Sequence, residues 1–177
     1  MEKDIVLETE RIILRKIKVE DAEEAFKNWT SDDEVSKYMI WSTHKTVEDT
    51  KQWLAEEEKN SKNGENYCFG IVLKETGELI GSMSYHLVKE EDRYEVGYGI
   101  GKRFWRKGYT TEALKCMMDF LIKDLEIKKF ICRHAKLNPA SGAVMQKVGF
   151  KYVKDGYYES FDKTKKYESK IYYLEIN

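Results

Sequence analysis

The sequence predicts a mixed α/β or α+β domain built around a single sheet. Three observations carry that prediction. Segments with helical apolar spacing and short strand-like apolar runs interleave along the chain instead of separating into halves. Turn and cap residues stand where one kind of segment gives way to the other, as at Thr46, Thr76-Gly77, Asn138-Pro139 and Gly149. No internal repeat, low-complexity tract or linker interrupts the 177 residues, a length that suits one domain spanning 1–177 with a sizeable core.

The elements follow in order. Arg11 to Ile17 reads as a first strand with imperfect alternation. Asp21 to Trp29 reads as a helix with Ala22, Ala25, Phe26 and Trp29 on one face. Thr46 to Lys59 is a second helix, capped by Thr46, with Asp49 three residues on in a near capping box. Tyr67 to Leu73 and Leu79 to Leu87 form a hairpin turning at Thr76-Gly77. After a polar turn at Glu90 to Arg93, Tyr94 to Phe104 is a glycine-rich strand. Thr110 to Lys123 is a helix with Leu114, Met117, Met118 and Leu121 along one stripe. Lys129 to Ala135 is a strand. Asn138-Pro139 starts a short helix, since Asn favours the N-cap and Pro the first helical position; Gly149 suits its end. Tyr152 to Tyr158 and Lys170 to Ile176 are the last strands. The order is β α α β β β α β α β β.

Composition narrows the function. The chain is 41% hydrophobic and 36% charged, with a formal net charge of -1 and the two signs interspersed, so a broad nucleic-acid face is not expected. Met1-Glu2-Lys3-Asp4 lacks the regions of a signal peptide, and no apolar run approaches the roughly 18 residues of a membrane span. Cys68, Cys116 and Cys132 are an odd, sparse set that suits a reducing compartment. The expectation is a cytoplasmic protein with no membrane contact. His44, His86 and His134 share no metal-ligand spacing, so no metal is expected. Cys116 and Cys132 read as core, and the run Lys163-Thr164-Lys165-Lys166 as a solvated loop.

The chemistry concentrates between Glu95 and Ala113. Gly97, Gly99 and Gly101 alternate and therefore share one face of their strand, either to admit a ligand or to permit a bulge or tight packing. Glu95 shares that face. The strand then turns through Arg103, Arg106 and Lys107 to Gly108 and a helix start. Free N–H groups and the helix dipole make such a start an anion site, and a diphosphate is the natural occupant. Two common phosphate patterns do not apply. A Walker A loop would need glycine at Val96 and a hydroxyl residue at Arg103, and a G-x-G-x-x-G dinucleotide loop would need glycine at Lys102 or Phe104.

The remaining match is to a family. Phe104-Trp105, Gly108-Tyr109 and Thr111-Glu112-Ala113 resemble the loop and helix start of the GNAT superfamily of acyl-CoA N-acyltransferases, most closely its RimJ/RimL-type ribosomal-protein branch. Against the general Q/R-x-x-G-x-G/A loop, Trp105 to Thr110 keeps only the central glycine. Asn138-Pro139-Ala140-Ser141 followed by Gly149-Phe150 resembles the second hallmark, in register. The resemblance covers nearly the whole chain. It implies a mostly antiparallel, mixed sheet flanked by helices, with a splayed strand pair forming an acetyl-CoA cleft. It implies that the backbone of Arg106, Lys107, Gly108, Tyr109 and Thr110 holds the pyrophosphate, with Arg103 adding charge. The backbone of Tyr98, Gly99 and Ile100 would bond the pantetheine arm, a strand N–H would polarise the thioester carbonyl, and Asn138 would reach the cofactor through its amide.

The resemblance also assigns chemistry. Glu95 would take the amine's proton directly or through water, or else it is a surface or hairpin-paired carboxylate. Related enzymes often carry a tyrosine where this chain has Met145, so Ser141 is the candidate to serve the leaving thiolate, or else a first-turn hydroxyl bonding the backbone. Trp41, Tyr85, His86, Tyr158 and Phe161 are candidates to line an acceptor pocket. The expected reaction is direct acetyl transfer from acetyl-CoA to a primary amine in a ternary complex, the acceptor being a protein N-terminal α-amine. The alternatives are a small amine such as a polyamine, amino acid or aminoglycoside, or a CoA-binding module without catalysis. A monomer or a homodimer suits either.

Overall fold

The structure, a computed structural model, describes residues 4–61 and 65–177. Met1 to Lys3 of the opening string lie outside them. Eight strands form one sheet: β1 (Val6–Glu8), β2 (Ile12–Lys16), β3 (Asn66–Leu73), β4 (Leu79–Val88), β5 (Arg93–Ile100), β6 (Lys129–Ala135), β7 (Lys151–Glu159) and β8 (Lys166–Glu175). Their spatial order is β1-β2-β3-β4-β5-β6-β8-β7, and every pairing is antiparallel except β5 with β6. The helices are α1 (Ala22–Ala25), α2 (Asp33–Ser36), α3 (Val47–Asn60), α4 (Tyr109–Lys123) and α5 (Pro139–Val148).

Helices cover both faces, and β3 is buried on both sides. In β3, Tyr67, Phe69, Ile71 and Leu73 pack towards α4 with Ala113, Leu114, Met117, Met118 and Leu121, while Cys68 and Val72 join Trp29 and Leu54 of the α1–α3 layer. Each large side chain so buried contributes about 1.5–3 kcal/mol. Among the described residues no helix is long and apolar enough to cross a membrane.

Caps act as read from the sequence. The Thr46 hydroxyl accepts from Asp49 N–H at 3.3 Å, and the Asp49 carboxylate accepts from Thr46 N–H at 3.0 Å, a full capping box on α3. Gly149 ends α5 in the left-handed region. Four readings need correction. Strand β1 precedes the first expected strand, because three residues carry too little pattern to stand out. The short helix α2 lies in what read as a loop, where Asp32 accepts from Glu34 N–H. The helix expected over Asp21 to Trp29 is α only to Ala25 and then widens into a π turn over Phe26–Thr30. Finally, β5 stops at Ile100, and Lys102–Phe104 forms a 3-10 turn.

The last correction matters for the site. A Cβ on Gly101 would sit 2.6 Å from the Asn28 carbonyl oxygen, so this glycine permits close packing of the π turn rather than ligand approach. Gly99 faces Met39, whose Cε would lie 3.4 Å from an added Cβ. Gly97 of the alternating set is exposed.

The parallel pair is the one place where the sheet parts. β5 and β6 pair only at Tyr94 with Phe130 and Glu95 with Ile131, whereas β6 stays paired with β8 as far as Ala135. Beyond Glu95 a gap therefore opens between two strands that each remain held by their other neighbour.

Candidate active site

The gap is the floor of a cleft of about 380 Å³ that runs through the sheet. Glu95, Gly97, Arg133, Ser84 and His86 line it on one side, and Val96, Tyr98, Cys132, His134, Asn138, Ser141 and Met145 line it on the other. The strand period of two explains the division. Odd positions of β5 face the Tyr38–Ile40 segment, and even positions face α5.

On the first side, the Glu95 carboxylate accepts from Arg133 Nε at 2.6 Å and Nη2 at 3.3 Å, and His86 Nε2 lies 3.5 Å away. His86 is Glu95's cross-strand partner, and Arg133 stands on the parallel strand just past the last paired residues. Glu95 is thus a charge-paired carboxylate facing the cleft, with a fifth of its side chain in solvent.

Across the gap, Val96 O accepts a weak bond from Cys132 Sγ at 3.4 Å, and at the end of β5 Ile100 O accepts from Trp105 Nε1 of the following turn at 2.9 Å. Both carbonyls therefore point into the gap, and strand alternation puts the backbone groups of Tyr98, between them, on the same edge. An extended amide-bearing arm could pair there as an added strand. Burial pushes the Cys132 thiol well up, so it is no nucleophile at neutral pH. Asn138 occupies the N-cap of α5 yet makes no capping bond, which leaves its side-chain amide to the cleft it lines.

The candidate anion site lies at the start of α4. Arg106 and Gly108 both have positive φ, 60° and 80°, which curls the loop so that successive N–H groups converge ahead of the helix. Glu112 N–H closes the first turn on Gly108 O at 3.1 Å, leaving the first-turn N–H groups of Tyr109, Thr110 and Thr111 free of helical acceptors. Arg106, Lys107 and Gly108 are exposed. This donor set fits a diphosphate.

Arg11 braces the loop. Its Nη1 donates to Lys107 O at 3.0 Å, its guanidinium carbon lies 4.5 Å from the Tyr109 ring centre, and its Nε donates to Glu112 at 2.7 Å. Glu112 also accepts from Thr9 Oγ1 and Arg11 N–H. Burial raises the Glu112 carboxyl, but these bonds outweigh it and hold the pKa below its usual value. A depressed folded-state pKa means this stabilisation is complete above the unfolded-state value near 4.5 and is lost as pH falls through the folded value. Glu112→Gln should therefore cost about 2 kcal/mol at pH 7 and progressively less towards pH 3, as measured by urea unfolding at each pH.

Several expected site residues are placed elsewhere. Tyr85 is 1% exposed, stacks on Tyr67 and tilts against Tyr94 in the core, because its cross-strand partners Tyr67 and Val96 are core residues. Trp41 packs with His44 and the α1–α3 layer. Neither lines the cleft. Phe161 is 77% exposed on the β7–β8 turn and also lies off the cleft lining. Arg103 turns away to Glu78, to Asn28 Oδ1 at 3.2 Å and onto the Phe104 ring, so its charge is already paired. Among the described residues no three His, Cys, Asp or Glu side chains converge as a metal site would require.

The sequence reading missed Arg133, Arg11 and the segment Tyr38, Met39 and Ile40. That segment walls the cleft and is stapled to the β7–β8 hairpin. Tyr158 hydroxyl donates to Tyr38 O at 2.5 Å, Phe161 N–H to Ile40 O at 2.7 Å, Lys165 Nζ to Ser36 O at 3.1 Å, and Tyr167 hydroxyl to Lys37 O. Desolvation pushes the Tyr158 phenol up to about 12, so it remains a donor. Only the period-two rule could have put Arg133 beside Glu95, and it needs the β5–β6 register.

Comparison with known proteins places this architecture. A family model described as an acetyltransferase (GNAT) domain matches residues 11–151. The uncharacterized N-acetyltransferase p20 of Bacillus licheniformis is 31% identical over 160 residues, covering 90% of this chain and 88% of p20. The [ribosomal protein uS5]-alanine N-acetyltransferase of Escherichia coli is 26% identical over 102 residues, 56% of this chain and 52% of that one. The crystal structure of a GNAT-family acetyltransferase from Bacillus anthracis superposes with a TM-score of 0.80 at 25% identity, covering 97% of this chain and 98% of the other.

Proposed function

This chain belongs to the GNAT acetyltransferase family and is an acetyl-CoA-dependent N-acetyltransferase; from that premise we propose that it acetylates the α-amine of a protein N-terminus, with Glu95 as base and residues 1–177 acting as one catalytic domain. The observation that carries the reading is the walled cleft beside a charge-paired glutamate. The stapled segment from Lys37 to Ile40 closes one side, so an amine must come end-on to Glu95. The base it meets is paired with Arg133. At pH 7 roughly one α-amine in ten is neutral, against about one lysine in 2,500. The likeness to a ribosomal-protein alanine N-acetyltransferase supports the same class of acceptor.

The residues then divide the work. Backbone N–H groups from Arg106 to Thr110 hold the diphosphate, and the β5 edge at Tyr98 to Ile100 and the Asn138 amide orient the arm. A β5 N–H at the gap polarises the thioester carbonyl. Glu95 takes the amine's proton as the new N–C bond forms. His86, half-exposed beside Glu95, sits where that proton can leave to solvent.

The cleft's 380 Å³ is also within the range of small-ligand pockets, about 300–1,000 Å³, which favours a small amine as the second reading. Thiol release from acetyl-CoA, with mass analysis of products, separates the two. Peptides with a free N-terminus should be acetylated at that end, and the same peptides with a blocked N-terminus and an internal lysine should not. Faster release with polyamines, free amino acids or aminoglycosides than with any peptide would overturn the protein acceptor.

A further inference from the structure

We infer that the Tyr98 phenol aims the Ser141 hydroxyl at the departing sulfur, so that the pair forms the leaving-group donor on the side of the cleft opposite Glu95. This rests on the acyl-transfer reading above and assigns a positioning residue within it. Expelling a thiolate leaves a charge on sulfur that a hydrogen-bond donor would stabilise. The polar groups on that side of the cleft are few. His134 has both ring nitrogens engaged, Nδ1 with Ala135 O at 2.7 Å and Nε2 with Tyr172 hydroxyl at 3.2 Å. Cys132 is turned onto Val96 O. Met145, 1% exposed on α5, has no proton to give. Asn138, Ser141 and Tyr98 remain, and Asn138 stands outside the first turn of α5.

Tyr98 and Ser141 are joined. The Tyr98 hydroxyl lies 3.0 Å from Ser141 Oγ and 3.0 Å from Ser141 O. A phenol has one proton, which can go to Ser141 O or to Ser141 Oγ, and the donor pair requires the arrangement in which it goes to Oγ. With Oγ accepting from Tyr98, the serine's own proton is left to the cleft that Ser141 lines. The contact spans the gap from β5 to the first turn of α5, so the fold that opens the gap also sets the donor at its edge. Burial, with the nearby Cys132, pushes the Tyr98 phenol well above its usual value despite the bond to Ser141, so the pair donates without ionising. The step balances accordingly. The amine lone pair forms the N–C bond, the C–S bond breaks with its electron pair on sulfur, the ammonium proton leaves towards Glu95, and the thiolate, held by Ser141, takes its proton from water.

The test compares Tyr98→Phe, Ser141→Ala and the double variant in thiol release from acetyl-CoA, both with a saturating amine and in the slow acceptor-free hydrolysis. Tyr98→Phe should lower kcat about threefold to tenfold in both reactions, as loss of one hydrogen bond between neutral groups implies. Its acetyl-CoA Kd should stay within twofold, and the double variant should be no slower than Ser141→Ala alone. A wild-type kcat for Tyr98→Phe, a matching loss of acetyl-CoA affinity, or additive losses in the double variant would each overturn the pair. Hydrolysis expels the same thiolate without an acceptor, so a wrong acceptor assignment leaves this test standing.

Discussion

Gly108→Glu is expected to weaken acetyl-CoA binding by about 100-fold or more, read by titration calorimetry. Two costs add. Gly108 sits at φ 80°, in the left-handed region that costs a residue with a Cβ about 1–2 kcal/mol, or roughly 5–30-fold if the loop must open to relieve it. The carboxylate then stands among the N–H groups meant for the diphosphate and repels it. Gly108→Ala separates these terms. Its Cβ would lie 3.4 Å from Arg11 Nη2, at the edge of ordinary van der Waals contact, so the contact is tolerable and only the conformational cost remains. Alanine should therefore fall between wild type and glutamate. Gly108 is exposed, so both variants should fold. Wild-type affinity in Gly108→Glu would move the diphosphate elsewhere.

Glu95→Gln is expected to lower kcat by about 10²–10³ at pH 7, with acetyl-CoA affinity nearly unchanged, because glutamine keeps the shape and one acceptor for Arg133 but cannot take a proton. The loss depends on pH in a defined direction. Below the acceptor's pKa, near 8 for an α-amine, most of the amine is protonated and the base is needed; above it, neutral amine attacks unaided. The gap between the two rate profiles should therefore narrow as pH rises past about 8. A constant ratio from pH 6.5 to 9.5 would assign Glu95 to holding Arg133 and the cleft wall rather than to proton transfer. Equal rates throughout would remove it from the mechanism.

The parts of the site legible in advance were those set by neighbours in the chain. The start of α4 followed from Gly108 and the polar-to-apolar change after it, and α5 from Asn138-Pro139 and Gly149; each lies within a residue of its expected place. The fold class and the cleft between splayed strands were also correctly read, the latter through the family resemblance. Misreadings arose where a residue type was known but its direction was not. Tyr85 and Trp41 are aromatics near the site in sequence, yet packing turns both inward. For Gly101, of the two alternatives its alternating spacing left open, packing holds, because the strand ends one residue earlier and the π turn claims it.

The sequence by itself determined the family, and it marked the Arg106–Thr110 loop, Glu95, Asn138 and Ser141 as the groups to watch, because caps, turns and motif spacing act over a few residues. Tertiary structure alone decided how those groups are placed. The pairing of Glu95 with Arg133, the reach of Tyr98 to Ser141 and the stapling of Tyr38 to Tyr158 join residues 38, 43 and 120 positions apart. Such contacts depend on strand register and on which face each side chain takes. Packing of the whole sheet between its two helical layers sets both, and no local pattern encodes them.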